Sequence, residues 1–218
     1  MKTKGKNFMV SGGIFVVAFI IWTIVIKTID VQNIGINESE IGFSTFNKWF
    51  HSLTGVNMML YNITDWLGLV PLFCCMIFAV VGFVQLIKRM SLLKVDSDII
   101  FLGIYYVIVI LLYLIFEMIP INYRPVLIDG FMEVSYPSST TLLVLAVMPT
   151  VSFQTNKRLK NNKIKKIINV IIVLFSVFMV AGRLVCGVHW FTDIIGSVLI
   201  SAGLFCFYKA VILLTHKE

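Results

Sequence analysis

Six long apolar runs constrain this sequence more than any other feature. They lie at about residues 8–26, 67–87, 99–119, 138–153, 167–181 and 191–214. A bilayer core is crossed by roughly 20 apolar residues in a helix, which is close to the length of these runs. The chain is 59% hydrophobic and only 13% charged, which is too apolar for a soluble domain. We therefore predict an all-α polytopic membrane protein, a bundle of six transmembrane helices.

The interval between the first two runs, residues 28–64, is the longest polar stretch. Large apolar residues nevertheless recur in it at helical spacing: Phe46, Trp49, Phe50, Leu53, Val56 and Leu60. This pattern predicts an interfacial amphipathic helix after the first span, and Trp49, Tyr61 and Trp66 suit the membrane interface. His51 is interpreted as part of its solvated polar face. We predict a single integral membrane domain, residues 1–218, in which 1–60 form the first span and outer amphipathic segment and 61–218 form the main core.

The basic residues predict the orientation of the chain. Most of them lie at the N-terminus and in the second and fourth loops: Lys2, Lys4, Lys6, Lys88, Arg89, Lys94, Lys157, Arg158, Lys160, Lys163, Lys165 and Lys166. Such an excess marks the cytoplasmic side, so both termini are expected inside, with the plasma membrane as the expected location. The net charge of +7 sits in short loops and forms no basic–aromatic surface, so no nucleic-acid partner is expected.

Three ionisable residues stand close together before the last apolar run: Arg183, His189 and Asp193. Ionisable groups are expensive in lipid and therefore indicate function. On a helix, the i, i+4 spacing would let Asp193 bond one imidazole nitrogen of His189 and leave the other as a nucleophile. Arg183 offers a planar fork for phosphate oxygens. The structural alternative is a His–Asp pair at a helix start, with Arg183 reaching to the interface.

Further polar residues fall on the same predicted outer side. Glu117 ends the third run, Arg124 lies in the following loop, and Ser138–Thr141 follow a proline. Serine and threonine at a helix start either cap the helix or leave its amides available to an anion. The four cysteines have no disulfide or metal spacing, so we predict no metal and no cofactor.

In this order, the residues resemble the type 2 phosphatidic acid phosphatase family of integral membrane lipid phosphatases, from about residue 60 onward. That family has three motifs, KxxxxxxRP, PSGH and SRxxxxxHxxxD. Gly182-Arg183, His189 and Asp193 match the third motif with only its serine changed to glycine. Arg124-Pro125 matches the end of the first motif, and Pro137-Ser138 the start of the second.

The resemblance implies a six-span bundle whose site lies at its outer end. It implies that His189 attacks phosphorus to form a phosphohistidine, that Asp193 orients it, and that Arg124 and Arg183 hold the phosphate. Ser138 and Ser139 are expected at the edge of that phosphate site. Two departures concern chemistry: Glu117 stands where the family has its lysine, and Thr140 where the family has the histidine that protonates the leaving oxygen. Ser139 replaces the glycine of the second motif. Glu117 and Thr140 are accordingly candidate catalytic residues.

Two functions follow from the resemblance. The first is a membrane hydrolase: a lipid phosphatase, or a related phosphotransferase, acting in phospholipid metabolism on a lipid phosphate, pyrophosphate or phosphodiester at the outer face. The second is a catalytically degenerate relative that binds a lipid phosphate without turnover. A transporter is disfavoured because the sequence has no internal repeat and no pair of interrupted spans. The expected partners are the lipid substrate and membrane lipids, and the oligomeric state is left open.

Overall fold

The computed structural model describes residues 2–215. Its α-helices are α1 (Lys2–Ile26), α2 (Ser44–Thr54), α3 (Met58–Leu67), α4 (Leu69–Arg89), α5 (Ser97–Met118), α6 (Ser139–Arg158), α7 (Asn162–Val185) and α8 (Phe191–Thr215). Single 3-10 turns lie at Ile36–Glu38 and Leu92–Lys94. Within the described part of the chain, the extended segments form only isolated β-bridges. The predicted all-α class is confirmed.

Among residues 2–215, five stretches are long and apolar enough to cross a membrane: Lys2–Ile26, Met58–Arg89, Ser97–Met118, Asn162–Val185 and Phe191–Thr215. The chain is therefore an integral membrane protein. Helix α6, predicted as the fourth of six spans, has the length but is less apolar than the others, with buried Thr141, Thr150 and Gln154. It tolerates these residues because α4, α5, α7 and α8 pack around it. The count of six spans stays a prediction.

Helix α6 forms the centre of the bundle, and α1 packs along α8. Leu142, Ala146 and Val147 of α6 are buried against α5, where Tyr105 donates a 2.9 Å hydrogen bond to the carbonyl of Ala146. Tyr106 and Thr150 share a 2.8 Å hydroxyl–hydroxyl bond. These polar groups of α5 and α6 therefore have hydrogen-bond partners, as a low-dielectric environment requires.

The segment after α1 differs from the single amphipathic helix predicted for it. Residues 27–43 form an irregular loop, closed by a bridge between Gln32 and Ile41. Helix α2 then ends at Gly55, whose φ of 62° breaks the helical path, and α3 begins two residues after Val56. The predicted apolar positions are consequently divided between α2, the break and α3. A location on the bilayer surface stays a prediction for α2.

Ion pairs gather the basic loops at one end of the bundle. Asp98 at the start of α5 accepts a 2.8 Å bond from Arg158 at the end of α6. Asp96 pairs with Arg89 at 2.7 Å, and this hydrogen bond lowers the pKa of Asp96. The α4–α5 and α6–α7 loops therefore lie together. The residues of the family motifs lie at the opposite ends of α5, α6 and α7, and at the start of α8.

Candidate functional site

The loop between α5 and α6 is folded back on itself by a short ladder. The N–H of Arg124 donates to the Glu133 carbonyl at 3.0 Å, and the N–H of Ser135 donates to the Asn122 carbonyl at 2.9 Å. Tyr123 and Val134 form the bridge between these pairs. The ladder places Asn122 beside Ser135, and Arg124 beside Glu133. The ladder thereby brings the side-chain amide of Asn122, the carbonyl of Ser135 and the guanidinium of Arg124 into the same loop.

His189 lies in a turn before α8, because Gly187 adopts a φ of 69° and the helix begins only at Phe191. The helical i, i+4 contact expected between His189 and Asp193 is therefore not formed: Nδ1 of His189 is 3.9 Å from Oδ2 of Asp193. Asp193 instead reaches back to the Trp190 N–H at 2.9 Å, as an acid in the third position of a helix does. Its other oxygen accepts a 3.2 Å bond from Asn122.

The nearest partner of the His189 imidazole is the backbone carbonyl of Ser135, 3.2 Å from Nδ1. A carbonyl oxygen can only accept, so Nδ1 carries the proton and Nε2 presents a lone pair. Nε2 is buried and has no hydrogen-bond partner among residues 2–215. The side chain is thus held in the tautomer that a nucleophile at Nε2 requires, by a carbonyl where the sequence predicted a carboxylate.

Electrostatics keep this imidazole neutral. Burial lowers the pKa of His189 well below its usual value, and the positive charges of Arg124 and Arg183 lower it further against the raising effect of the Ser135 carbonyl. A cation disfavours a second positive charge on a neighbouring group, so both arginines act in the same direction as burial. His189 is therefore unprotonated at neutral pH.

The two predicted phosphate-binding arginines converge on one aromatic ring. The guanidinium carbon of Arg183 lies 4.7 Å from the centroid of Tyr61, and that of Arg124 lies 5.5 Å from it. Both side chains are almost fully buried, at 1% and 6% exposure. Arg183 Nε and Arg124 Nη1 have no hydrogen-bond partner within the described range. Two buried cations with open donors, beside an unpartnered nitrogen of His189, form a site suited to an anion.

Each arginine also has a carboxylate beside it. Nη2 of Arg183 lies 3.3 Å from Asp65 of α3, and Nε of Arg124 lies 3.1 Å from Glu133. The Asp65 and Glu133 side chains are 54% and 41% exposed, so each lies on the solvent side of the buried arginine that it contacts. The positive charge of the pair is consequently partly balanced without any ligand.

The remaining predicted residues lie around this centre. The Ser138 N–H donates to the Asp193 carbonyl at 3.3 Å, and Ser138 Oγ donates to Thr141. Glu117 and Ser139 line a recess of ≈ 10 Å³, with room for about one water, which also touches Ser135. Thr140 is buried, and a β-carbon built on Gly68 would lie 3.2 Å from its methyl group. The structure therefore places Glu117 and Ser139 beside the Ser135 segment that holds His189.

Several groups of the candidate site were not predicted from the sequence: the Ser135 carbonyl, Asn122, Tyr61, Asp65 and Glu133. A backbone carbonyl leaves no trace in a sequence, and Tyr61 was interpreted only as an interface aromatic. Asp65, an acid among apolar residues of α3, carried a usable signal by the argument applied to His189. Among the described residues, no group of three His, Cys, Asp or Glu side chains could hold a metal ion.

Gly182, the one changed position of the third motif, is where α3 meets α7. A β-carbon at Gly182 would lie 2.7 Å from the methyl carbon of Thr64, closer than side chains approach. Thr64 Oγ1 is bonded to the Leu60 and Tyr61 carbonyls and lies 3.4 Å from Arg183 Nη1. The glycine therefore lets α3 approach closely enough to contact Arg183.

The fold and the site together describe a helical membrane protein that buries one histidine and two arginines at the same end of its bundle. The sequence model of the PAP2 superfamily matches residues 119–215, which contain Arg124, Ser138, Thr140, Arg183, His189 and Asp193. This match supports the family resemblance that the motifs predicted.

A solved structure is similar over nearly the whole chain. It is described as the crystal structure of the first transmembrane PAP2 type phosphatidylglycerolphosphate phosphatase from Bacillus subtilis. The TM-score is 0.68, with 18% sequence identity over 95% of this chain and 98% of that chain. At this identity the likeness shows the fold, including the segments before residue 119. A comparison with curated proteins found no match.

The packing at Gly182 leads to a test by paired substitutions. Gly182→Ser should push Thr64 away and loosen the contact of α3 with Arg183, which lowers stability by about 1–3 kcal/mol. Thr64→Ser keeps the hydroxyl and removes the methyl group that a new β-carbon would meet. Adding it to Gly182→Ser should therefore restore most of the loss, measured as thermal unfolding in detergent. Equal destabilisation with and without Thr64→Ser would contradict this packing argument.

Proposed function

We propose that this protein is an integral membrane enzyme that removes or transfers the phosphate group of a lipid, with His189 as its nucleophile. The observation that carries the proposal is the buried, unpartnered Nε2 of His189 beside two arginines with open donors. Such groups are costly to bury unless a ligand satisfies them. The match to the PAP2 superfamily model and the fold of the phosphatase neighbour both support a lipid phosphatase activity.

The proposed reaction has two steps. In the first, the Nε2 lone pair attacks phosphorus, an N–P bond forms, and the bond from phosphorus to the leaving oxygen breaks. Arg124 and Arg183 bind the phosphoryl oxygens as negative charge builds on them. In the second step, water attacks phosphorus and the N–P bond breaks, which releases phosphate and the neutral imidazole. If an alcohol replaces water, the phosphoryl group passes to that alcohol.

Departure of the leaving oxygen is the difficult step for this chain. Thr140, which stands where the family has its acid, has a hydroxyl that is a poor proton donor. A positioned general acid is worth roughly 10²–10⁴-fold in rate. We propose that Glu117, at the recess beside Ser135, supplies this proton when it is protonated. Leaving groups that are stable as anions, such as the phosphate of a pyrophosphate, need the proton less.

The charge of the site provides a second basis for substrate selectivity. The carboxylates of Asp65 and Glu133 already face the two arginines, and Glu117 replaces a cation of the family. A doubly charged phosphomonoester therefore meets a less positive site than the family motif provides. We propose that a phosphate with less negative charge, such as a phosphodiester, is tolerated better than phosphatidic acid. The name of the neighbouring structure adds phosphatidylglycerol phosphate to the substrates worth assaying.

We also propose that the site faces outward and both termini face the cytoplasm. The basic loops lie at the end of the bundle opposite His189, and such loops are retained inside. A cysteine at Lys160, in a background without the four native cysteines, should react with an impermeant maleimide only after the cells are opened. The matched control, a cysteine at Leu127 in the loop that carries Arg124, should react in intact cells. The reverse pattern would overturn the external site.

The nucleophile is tested by trapping. His189→Ala should abolish turnover and the phosphoenzyme obtained by alkaline quench after a radiolabelled substrate. Asp193→Asn should reduce turnover and leave a small residual activity, because the ring keeps its Ser135 bond and its tautomer but loses a stabilising charge. The acid limb of the wild-type rate profile should fall below pH 6.5, since a lowered pKa keeps Nε2 unprotonated there.

The trapping experiment also separates the two functions. Wild-type protein that binds inorganic phosphate but gives no phosphoenzyme and no product with any lipid would support the binding protein without turnover. Full turnover in His189→Ala would mean that another group attacks phosphorus, and the proposed mechanism would be wrong.

Selectivity is tested by restoring the family residues one at a time. Glu117→Lys should lower KM for phosphatidic acid, since it restores a cation beside the phosphate. Thr140→His should raise kcat for phosphatidic acid about tenfold or more and leave a polyprenyl pyrophosphate nearly unchanged, since only the alkoxide needs the acid. The wild type is expected to prefer the pyrophosphate.

Glu40→Lys provides the control, because it makes the same charge change at an exposed residue in the loop after α1. It should alter neither parameter. Wild-type turnover of phosphatidic acid as fast as that of the pyrophosphate would show that Glu117 and Thr140 do not restrict the chemistry.

A further inference from the structure

The stretch that carries His189 is held by residues far outside the matched region 119–215. The N–H of Asn57 donates to the Cys186 carbonyl at 2.9 Å, and Nε2 of His51 lies 3.0 Å from the Gly187 carbonyl. On the other side of His189, Trp22 Nε1 donates to the Thr192 carbonyl at 3.1 Å. Asn47 Nδ2 donates to the Thr192 hydroxyl at 3.0 Å. The first two helices and the following break therefore enclose residues 186–192.

The contact at Gly187 is made backbone to backbone. A β-carbon on Gly187 would lie 1.8 Å from the Gly55 carbonyl oxygen, so no side chain fits between the two segments. The φ of 69° at Gly187 also favours glycine. Helix α2, which ends beside Gly55, is thereby brought against the turn that precedes His189.

His51 is the side chain of α2 that contacts the Gly187 turn. Because the Gly187 oxygen can only accept, His51 Nε2 is the donor. The His51 ring also lies 5.7 Å from the ring of Trp190, the residue after His189. Trp190 in turn donates its indole N–H to the Tyr123 carbonyl at 2.8 Å, next to Arg124. His51 thus contacts the chain on both sides of His189, and Trp190 connects it to the loop that holds Arg124.

We infer that His51 is a positioning residue for His189. It fixes Gly187 by a hydrogen bond and Trp190 by ring contact, so that Nε2 of His189 points toward the phosphate held by the two arginines. The inference rests on the proposed function, in which His189 attacks phosphorus. The interpretation of His51 as a solvated surface residue does not match its half-buried, hydrogen-bonded place in the structure.

The test uses three substitutions that differ in where they place a donor. In His51→Gln the amide nitrogen reaches about as far as Nε2, in His51→Asn it falls short, and in His51→Ala there is none. His51→Ala and His51→Asn should reduce kcat by about 10- to 100-fold with little change in KM, as a displaced nucleophile does. His51→Gln should stay within about threefold of wild type. Single-turnover phosphoenzyme formation and the thermal midpoint are measured for each variant.

Ser52→Ala is the matched control, because it removes a hydrogen bond of α2 that lies on the exposed side, from Ser52 Oγ to the Trp49 carbonyl. It should keep wild-type kcat. Equal kcat in His51→Ala and His51→Gln would overturn the inference. So would losses of rate that simply follow losses of thermal midpoint across all three variants, since that is the result of a structural role alone.

Inorganic phosphate binding, followed by calorimetry, separates this inference from the proposed function. Wild-type protein that binds phosphate without turnover would contradict the proposed enzyme. The role of His51 would fail with it, because it depends on attack by His189. Wild-type turnover together with equal kcat in His51→Ala and His51→Gln would instead overturn the inference alone. Phosphate affinity should stay near wild type in all three variants, because His51 acts on His189 and leaves the two arginines in place.

Discussion

The hydrogen bond from His189 Nδ1 to the Ser135 carbonyl is the interaction on which the rest of the site depends. It decides the tautomer, and it does so without a titratable partner, because a carbonyl accepts at every pH. The cost is an Nε2 buried without a partner, which is worth about 1–3 kcal/mol against folding. A ligand whose phosphorus meets that nitrogen would remove the cost. The carbonyl is itself fixed, since the Ser135 N–H is bonded to Asn122, which also bonds Asp193.

Close approach of backbones makes this geometry possible. At Gly182 the absence of a side chain lets α3 reach Arg183, and at Gly187 it lets the end of α2 touch the turn before His189. The site is consequently assembled from three regions that are distant in sequence: α2–α3, the loop before α6, and the turn between α7 and α8. Residues 1–60, predicted as the first span and the outer amphipathic segment, also contribute to this assembly. Helix α1 packs along α8, and Trp22 donates a hydrogen bond to the Thr192 carbonyl at the start of α8.

Much of the fold and the centre of the site could be predicted because lipid imposes simple rules on sequence. The apolar runs place the long helices within a few residues, and two of the ionisable residues around the start of the last run, His189 and Asp193, have side chains 3.9 Å apart. The failures have specific physical causes. His189 lies before the start of α8 because Gly187 turns the chain. The helical spacing therefore predicted Asp193 as the hydrogen-bond partner of the imidazole, whereas the partner is the Ser135 carbonyl. Asp65 and Tyr61 join the site only through the packing of α3 on α7, which sequence spacing alone does not reveal.

The arrangement of charge connects the altered motifs with the structure. The family lysine is replaced by Glu117 in this chain. The two remaining cations, Arg124 and Arg183, lie on the same Tyr61 ring and repel each other. Here each arginine has a carboxylate within 3.3 Å, and the exposed carboxylates can turn to solvent when an anion binds. The arginines are thus kept in place without a ligand, but binding must then displace their internal partners. This competition weakens the advantage of a second negative charge on the phosphate, because that charge also meets Glu117. Under the proposed function, the geometry of the site is retained while its preference for phosphate charge shifts.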